Sequence, residues 1–259
     1  MRILVTNDDG INAPGLEVIE ELAHKIAGAK GEVWTVAPAF EQSGVGHCIN
    51  YTKPTMISEI GPRRIAVEGS PADCVLAGVH DILPGPADLV LSGVNRGNNS
   101  AENTLYSGTI GAAIEAALQD LPAIALSQYY GPANAEQDDP FAAARQHGER
   151  VIRQILEFGF DEKSAYRLFF NVNFPPVPAK EVQGIKAVAQ GRRTETYFRA
   201  KPFTAPSGRK YLWMQGGDQR APAQLGTDAA VNLDGWISIT PMRADLTDYT
   251  VLKSLDQVL

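Results

Sequence analysis

Two adjacent carboxylates, Asp8 and Asp9, close a short apolar run in Thr6-Asn7-Asp8-Asp9-Gly10. Carboxylates ~4 Å apart repel by about 4 kcal/mol at an effective dielectric of roughly 20. A divalent cation between them removes that repulsion; without one, a proton is taken up. The same Asn-Asp-Asp-Gly is also good turn composition. Ser43, in Gln42-Ser43-Gly44, and Asn95, in Ser92-Gly93-Val94-Asn95, are ordinary loop residues when taken singly. Together with Asp8 and Asp9 they supply an all-oxygen ligand set, which suits magnesium, manganese or calcium better than zinc. His24, His47, His80 and His147 are too scattered for a local zinc motif. His47 beside Cys48 reads as packing.

Ser107-Gly108-Thr109 offers hydroxyls and backbone N–H groups where a helix should begin, a setting that attracts phosphate, although an ordinary helix cap has the same composition. Asn98 and Asn99 either orient phosphate oxygens or shape a loop. Arg192, Arg193, Arg199 and Lys201 form the only dense basic stretch and read as a solvated face. The chain has no GxxxxGK[ST] loop, no GxGxxG fingerprint and no GxSxG elbow, so simple ATPase, dinucleotide-enzyme and serine-hydrolase readings lose their main support.

These residues need elements to place them. Arg2 to Thr6 reads as a strand, Gly15 to Ala27 as an amphipathic helix, and Glu32 to Ala37 as a second strand. A hairpin is expected from Thr55 to Glu59 and Arg64 to Val67, turning at Gly61-Pro62. Ser70-Pro71-Ala72-Asp73 has the cap, first-turn proline and acidic residue of a helix start. Asp88 to Ser92 is a strand, Gly93 to Tyr106 a polar loop, and the segment from Ser107 through Leu118 a helix. Ala123 to Ser127, Phe141 to Phe158 and Leu168 to Asn173 read as strand, helix and strand, with Tyr130 to Pro140 as a linker-like loop. The expected fold is therefore α/β, a Rossmann-like core with a largely parallel sheet flanked by helices over residues 1–175. Beyond Phe174, short segments at Ile185–Ala189, Tyr211–Met214 and Trp236–Thr240 show no clear helices between them. Residues 176–259 read as a β-rich extension of the same single domain, ending in a short helix near Thr247 to Leu255. In such sheets ligands gather beyond the carboxyl ends of the strands, where Asp8-Asp9, Ser43 and Asn95 fall.

The chain has 259 residues, with 44% apolar and 20% charged residues, as expected of a globular domain. Its balance of 23 basic against 30 acidic side chains gives a net charge of −7, which argues against a polynucleotide partner. A small anionic substrate remains compatible, because a bound cation reverses the local field. Cys48 and Cys74 cannot form a disulfide framework. No apolar run suggests a membrane span or signal peptide, so a cytoplasmic location is expected.

The ordered set Thr6-Asn7-Asp8-Asp9-Gly10, Ala13-Pro14-Gly15, Ala37-Pro38 with Gln42-Ser43-Gly44, Ser70-Pro71-Ala72-Asp73-Cys74, Ser92-Gly93-Val94-Asn95, Tyr106-Ser107-Gly108-Thr109 and Ser238-Ile239-Thr240-Pro241 resembles the SurE family, survival protein E, a 5′/3′-nucleotidase. The resemblance spans almost the whole chain. It implies a phosphatase acting on nucleoside monophosphates, with one divalent ion per subunit, Mg2+ or Mn2+ foremost and Ca2+ as a crystal substitute. Asp8, Asp9, Ser43 and Asn95 map onto the family's metal ligands; Asn99, Ser107, Gly108 and Thr109 map onto its phosphate contacts. Asp8 or Asp9 is then the candidate to accept a proton from attacking water, with a carboxylate nucleophile as the alternative. The resemblance further implies short-chain polyphosphate as a second substrate class, and a homo-oligomer, dimer or tetramer, built through the C-terminal region. A non-catalytic nucleotide or phosphate sensor is the competing reading. This chain departs from the family at Ser70, at Ser100-Ala101 in place of leucine-glycine, and at Glu102-Asn103 near an often acidic position.

Overall fold

In the computed structural model, which describes residues 1–161, 164–194 and 198–259, the strand and helix signals of the first half fold into one sheet with helices on both faces. Its strands are β1 (Arg2–Thr6), β2 (Glu32–Pro38), β3 (Ile57–Gly61), β4 (Arg64–Val67), β5 (Leu89–Arg96), β6 (Ala123–Gln128), β7 (Phe169–Phe174), β8 (Gly184–Ala187) and β11 (Trp236–Met242). The order is β3-β4-β2-β1-β5-β6-β7-β11-β8. From β4 to β7 all neighbours are parallel; β3 and β11 join antiparallel to β4 and β7.

The buried positions of β1 alternate as strand geometry requires. Ile3 and Val5 pack with Leu16, Ile19 and Leu22 of α1 (Pro14–Ala27) and with Val151 and Ile155 of α4 (Ala142–Phe158). Leu4 faces the opposite layer, where Cys74 and Val75 of α2 (Pro71–Ala77) meet Ile110, Ala113 and Ala116 of α3 (Gly108–Leu118). The helix start at Ser70 forms as its sequence predicts. Ser70 Oγ accepts from Asp73 N at 3.0 Å, and Ser70 N donates to Asp73 Oδ2 at 2.8 Å, a reciprocal capping box.

Several expectations need correction. Gly93–Tyr106 is not one loop: β5 continues to Arg96, and Ala101–Leu105 winds into a 3-10 turn. A helix is present in the extension, α5 (Asp228–Leu233). Tyr130 to Pro140 is anchored, since Asn134 is buried, donates to Tyr129 O and accepts from Gly131 N, both at 2.8 Å. The remaining strands, β9 (Arg199–Thr204) and β10 (Lys210–Gln215), form a separate antiparallel hairpin that is exposed along both strands, followed later by α6 (Tyr249–Leu255). Among the described residues no helix is long and apolar enough to cross a membrane.

Candidate functional site

Asp8 and Asp9 leave the carboxyl end of β1 in the middle of the parallel sheet. Three other segments are fastened to them. Thr109 Oγ1, in the first turn of α3, donates to Asp8 Oδ1 at 2.7 Å. Arg96 N, at the end of β5, donates to Asp9 Oδ2 at 2.9 Å. Gln42 N donates to the Asp8 carbonyl at 2.7 Å and so brings Gln42-Ser43-Gly44 over the pair. The approach of α3 depends on Gly108, because a Cβ there would lie 2.9 Å from Asp8 Cβ and 3.0 Å from Pro71 Cγ.

The sequence-predicted residues converge. Asp8, Ser43, Asn95, Asn99 and Ser107 line one cleft of about 290 Å³. Asp9 faces an adjoining cleft of about 800 Å³ with Tyr130 and Phe141, and Arg96 borders both. Gly108 and Thr109 stand behind Asp8. The amino end of α3 is therefore divided: Thr109 serves the carboxylate, while Ser107 reaches the cleft and its Oγ caps the helix by accepting from Ile110 N at 3.1 Å. Asn99 is anchored from below, its Nδ2 donating to Ser127 Oγ at 2.8 Å and its N to Asn173 Oδ1 at 2.7 Å.

The electrostatics of the pair fit a cation. Burial, followed by the charge of Asp9, pushes the Asp8 carboxyl up to about 6, with the Thr109 hydrogen bonds pulling the other way. Burial also raises Asp9, opposed by the N–H of Arg96. A buried acid beside a half-buried one, both with raised affinity for a proton, is a place where a divalent ion can take the proton's role. Among the described residues no cluster of three or more His, Cys, Asp or Glu offers a metal site, so the donors here are two carboxylates plus neutral oxygens. Asn95 supplies one: its Nδ2 donates to Gly97 O at 2.9 Å, which fixes Oδ1 as the acceptor end. Ser43 Oγ donates to Glu41 Oε1 at 2.7 Å, leaving its lone pairs for a cation. This all-oxygen set matches the preference of a hard cation.

Sequence reasoning missed much of the supporting structure. Asn171 and Asn173, buried at alternate positions of β7, hold the Asn99 loop, Asn171 Nδ2 donating to Asn99 O at 2.8 Å. Asp228 at the start of α5 accepts from Ala101 N and Gly191 N at 3.0 and 2.8 Å. Arg193 is not part of a solvated face: its side chain is 0% exposed and paired with Glu102 at 3.2 Å. Of the other members of that basic run, Arg199 and Lys201 do lie on the exposed hairpin. His47 does more than pack, since its ring Nε2 meets Glu115 Oε2 at 2.7 Å. The available signals were the Asn-x-Asn alternation in an apolar strand and Thr227-Asp228 as a helix start; nothing local marked Arg193.

Known proteins resemble this chain over its whole length. The family model described as "Survival protein SurE" matches residues 3–197. A protein of Jannaschia sp. (strain CCS1) named 5′-nucleotidase SurE is 66% identical over 262 residues, covering 100% of both chains. Its namesake in Roseobacter denitrificans is 64% identical over 256 residues, covering 98% of each. The crystal structure of the SurE protein from Aquifex aeolicus superposes with a TM-score of 0.81 at 34% identity, covering 100% of this chain and 99% of that one. With the family model matched over residues 3–197 and relatives matched over the full length, the chain belongs to the SurE family.

Proposed function

We propose that this chain is a divalent-metal-dependent phosphomonoesterase that releases phosphate from nucleoside 5′-monophosphates. The observation that carries the reading is the convergence of Asp8, Ser43, Asn95, Asn99 and Ser107 on one cleft beside a second, larger one. An acidic pair would repel an anionic substrate unless a cation stood between them. Asp8, Asp9, Ser43 and Asn95 are the residues that would hold it, and Mg2+ or Mn2+ suits them. Such an ion supplies charge stabilisation to the phosphoryl oxygens and acidifies water.

The chain's own groups do the rest. The buried Thr109 hydroxyl orients Asp8 and favours its ionised form against the effect of burial. Ser107 and Asn99 present polar groups on the cleft wall, where they orient phosphate oxygens. Asp9, fixed by Arg96 N, lines the larger cleft and is the candidate to take a proton from attacking water. That larger cleft has the volume to receive a nucleoside.

We extend the proposal to 3′-monophosphates and short polyphosphate as further substrates, and to a homo-oligomer formed through the extension. A lone two-stranded hairpin is marginal in water. Here β9 and β10 expose Phe203, Tyr211, Leu212, Trp213 and Met214, surface that a second copy would cover.

The test is phosphate release from 5′-AMP, 5′-GMP, their 3′ isomers and tripolyphosphate, with Mg2+ or Mn2+ and with a chelator. Turnover should require the metal and collapse in Asp8→Asn and Asp9→Asn while both variants stay folded. Tight nucleotide binding without phosphate release would establish the sensor instead.

A further inference from the structure

Asn98 and Asn103 both aim carboxamide donors at one oxygen. Asn98 Nδ2 donates to Gln219 Oε1 at 3.3 Å, and Asn103 Nδ2 donates to the same atom. All three residues line the cleft that holds Asp8, Ser43 and Asn95. We propose that this amide pair is a phosphoryl-oxygen subsite, that buried Arg193 sets its polarity, and that the side chain of Gln219 occupies it until substrate displaces it. The proposal rests on the phosphatase reading above and adds to it a site and a competitor.

The polarity follows from the donors around Asn98 Oδ1. That oxygen accepts from Arg193 Nη2 at 2.7 Å and from Ser100 Oγ at 2.7 Å. Arg193 Nη1 donates to Ser100 O at 3.1 Å, and Arg193 Nε to Gln219 O at 3.0 Å. A flipped Asn98 amide would set its NH₂ against a guanidinium, donor against donor, so Nδ2 must face the cleft. Gln219 is oriented by the same logic, since its Nε2 donates to Gly217 O at 3.1 Å and its Oε1 lies between two NH₂ groups. An oxygen held by two amide donors in a polar cleft beside a cation site is what a phosphate oxygen would be.

Gln219 can yield without rearranging the fold. Its backbone carbonyl is fixed by Arg193 Nε and by Tyr129 OH at 2.6 Å, whereas its side chain reaches the subsite through rotatable bonds. Leaving the subsite requires only a change of rotamer. Arg193 is accordingly a positioning residue, and Asn98 and Asn103 are the groups that touch substrate.

The experiment measures KM, kcat and the inhibition constant of inorganic phosphate in four proteins. Asn98→Asp keeps an acceptor for Arg193 but turns an acceptor toward phosphate. It should retain its melting temperature and raise KM and the phosphate inhibition constant by about tenfold or more. Gln219→Ala removes the competitor and should lower both by about three- to tenfold, with kcat unchanged. If Asn98→Asp does not fold, Asn103→Asp on the half-buried side of the pair should give the same rise. A folded Asn98→Asp or Asn103→Asp with wild-type KM and phosphate inhibition overturns the subsite, and a Gln219→Ala protein that binds phosphate more weakly overturns the displacement. Should the wild type release no phosphate from any substrate, the phosphatase reading fails. Calorimetric binding of inorganic phosphate to wild type and Asn98→Asp then still decides the subsite, equal affinities overturning it.

Discussion

The raised Asp8 carboxyl gives the metal-free protein a pH dependence of definite sign. A carboxyl near 3.8 in the unfolded chain and about 6 when folded binds its proton more tightly in the native state. Its contribution to stability is therefore complete below the unfolded value and is lost as pH rises through the folded one. Over the full range this amounts to about 3 kcal/mol, of which about 1.4 kcal/mol disappears between roughly pH 5 and 7.5. For a domain of this size that corresponds to a fall in Tm of about 3–5 °C. The assay is thermal unfolding in chelator across this range, for wild type and Asp8→Asn, since the difference between them reports Asp8 and its coupling to Asp9 and cancels the titrating groups elsewhere. Saturating Mg2+ or Mn2+ should reverse the slope, because the cation needs the deprotonated carboxylates and stabilises only the native state. A wild-type minus Asp8→Asn difference that is flat with pH in chelator would refute the buried-acid account. A Tm at pH 7.5 that ignores both metals would refute the site.

Thr109→Val removes the hydroxyl that favours the ionised form of Asp8, so the acid limb of the pH–rate profile should move up by about one unit or more. Gly108→Ala forces a Cβ to 2.9 Å from Asp8 Cβ and should cost about 1–3 kcal/mol in urea unfolding, with weaker metal binding. Arg193→Met removes the donors to Ser100 O and Asn98 Oδ1 and should cost about 1–3 kcal/mol, read by denaturant titration. Replacing Leu212 and Trp213 with serine, both exposed on the hairpin, should leave Tm within a few degrees while light scattering shows the mass falling toward that of one chain.

The core was legible because its signals are local. Leu16, Ile19, Leu22 and Ile26 repeat at helical spacing, and Ser70-Pro71-Ala72-Asp73 carries its own cap, so these elements follow from periodicity and propensity. The meeting of Asp8, Ser43 and Asn95 in one cleft was legible for a related reason. Asp8-Asp9, Ser43 and Asn95 each end a strand or begin a loop, and the ends of parallel strands lie together once the sheet order is set. The strand-like course of Gly93 to Arg96 was not, since its polar composition matches a loop and only pairing with β6 through Asn95 and Arg96 keeps it in the sheet.

Arg193 shows where such reasoning stops. A guanidinium among other basic residues is normally solvated, and burying one requires acceptors for its fixed fork of donors. Those acceptors come from Asn98, Ser100 and Glu102 on one side and from Gln219 on the other, segments 26 to 95 residues away in the chain. No window of sequence contains them together. The same distance explains the departures at Ser100-Ala101 and Glu102-Asn103. These residues leave the acidic pair at Asp8 untouched and instead build a loop of amides and hydroxyls whose shape is set by the extension, through Arg193 and through Asp228 on Ala101 N. The cleft thus has two halves of different origin. The core makes the half that would hold a cation, and the C-terminal segment makes firm the half that would hold the anion.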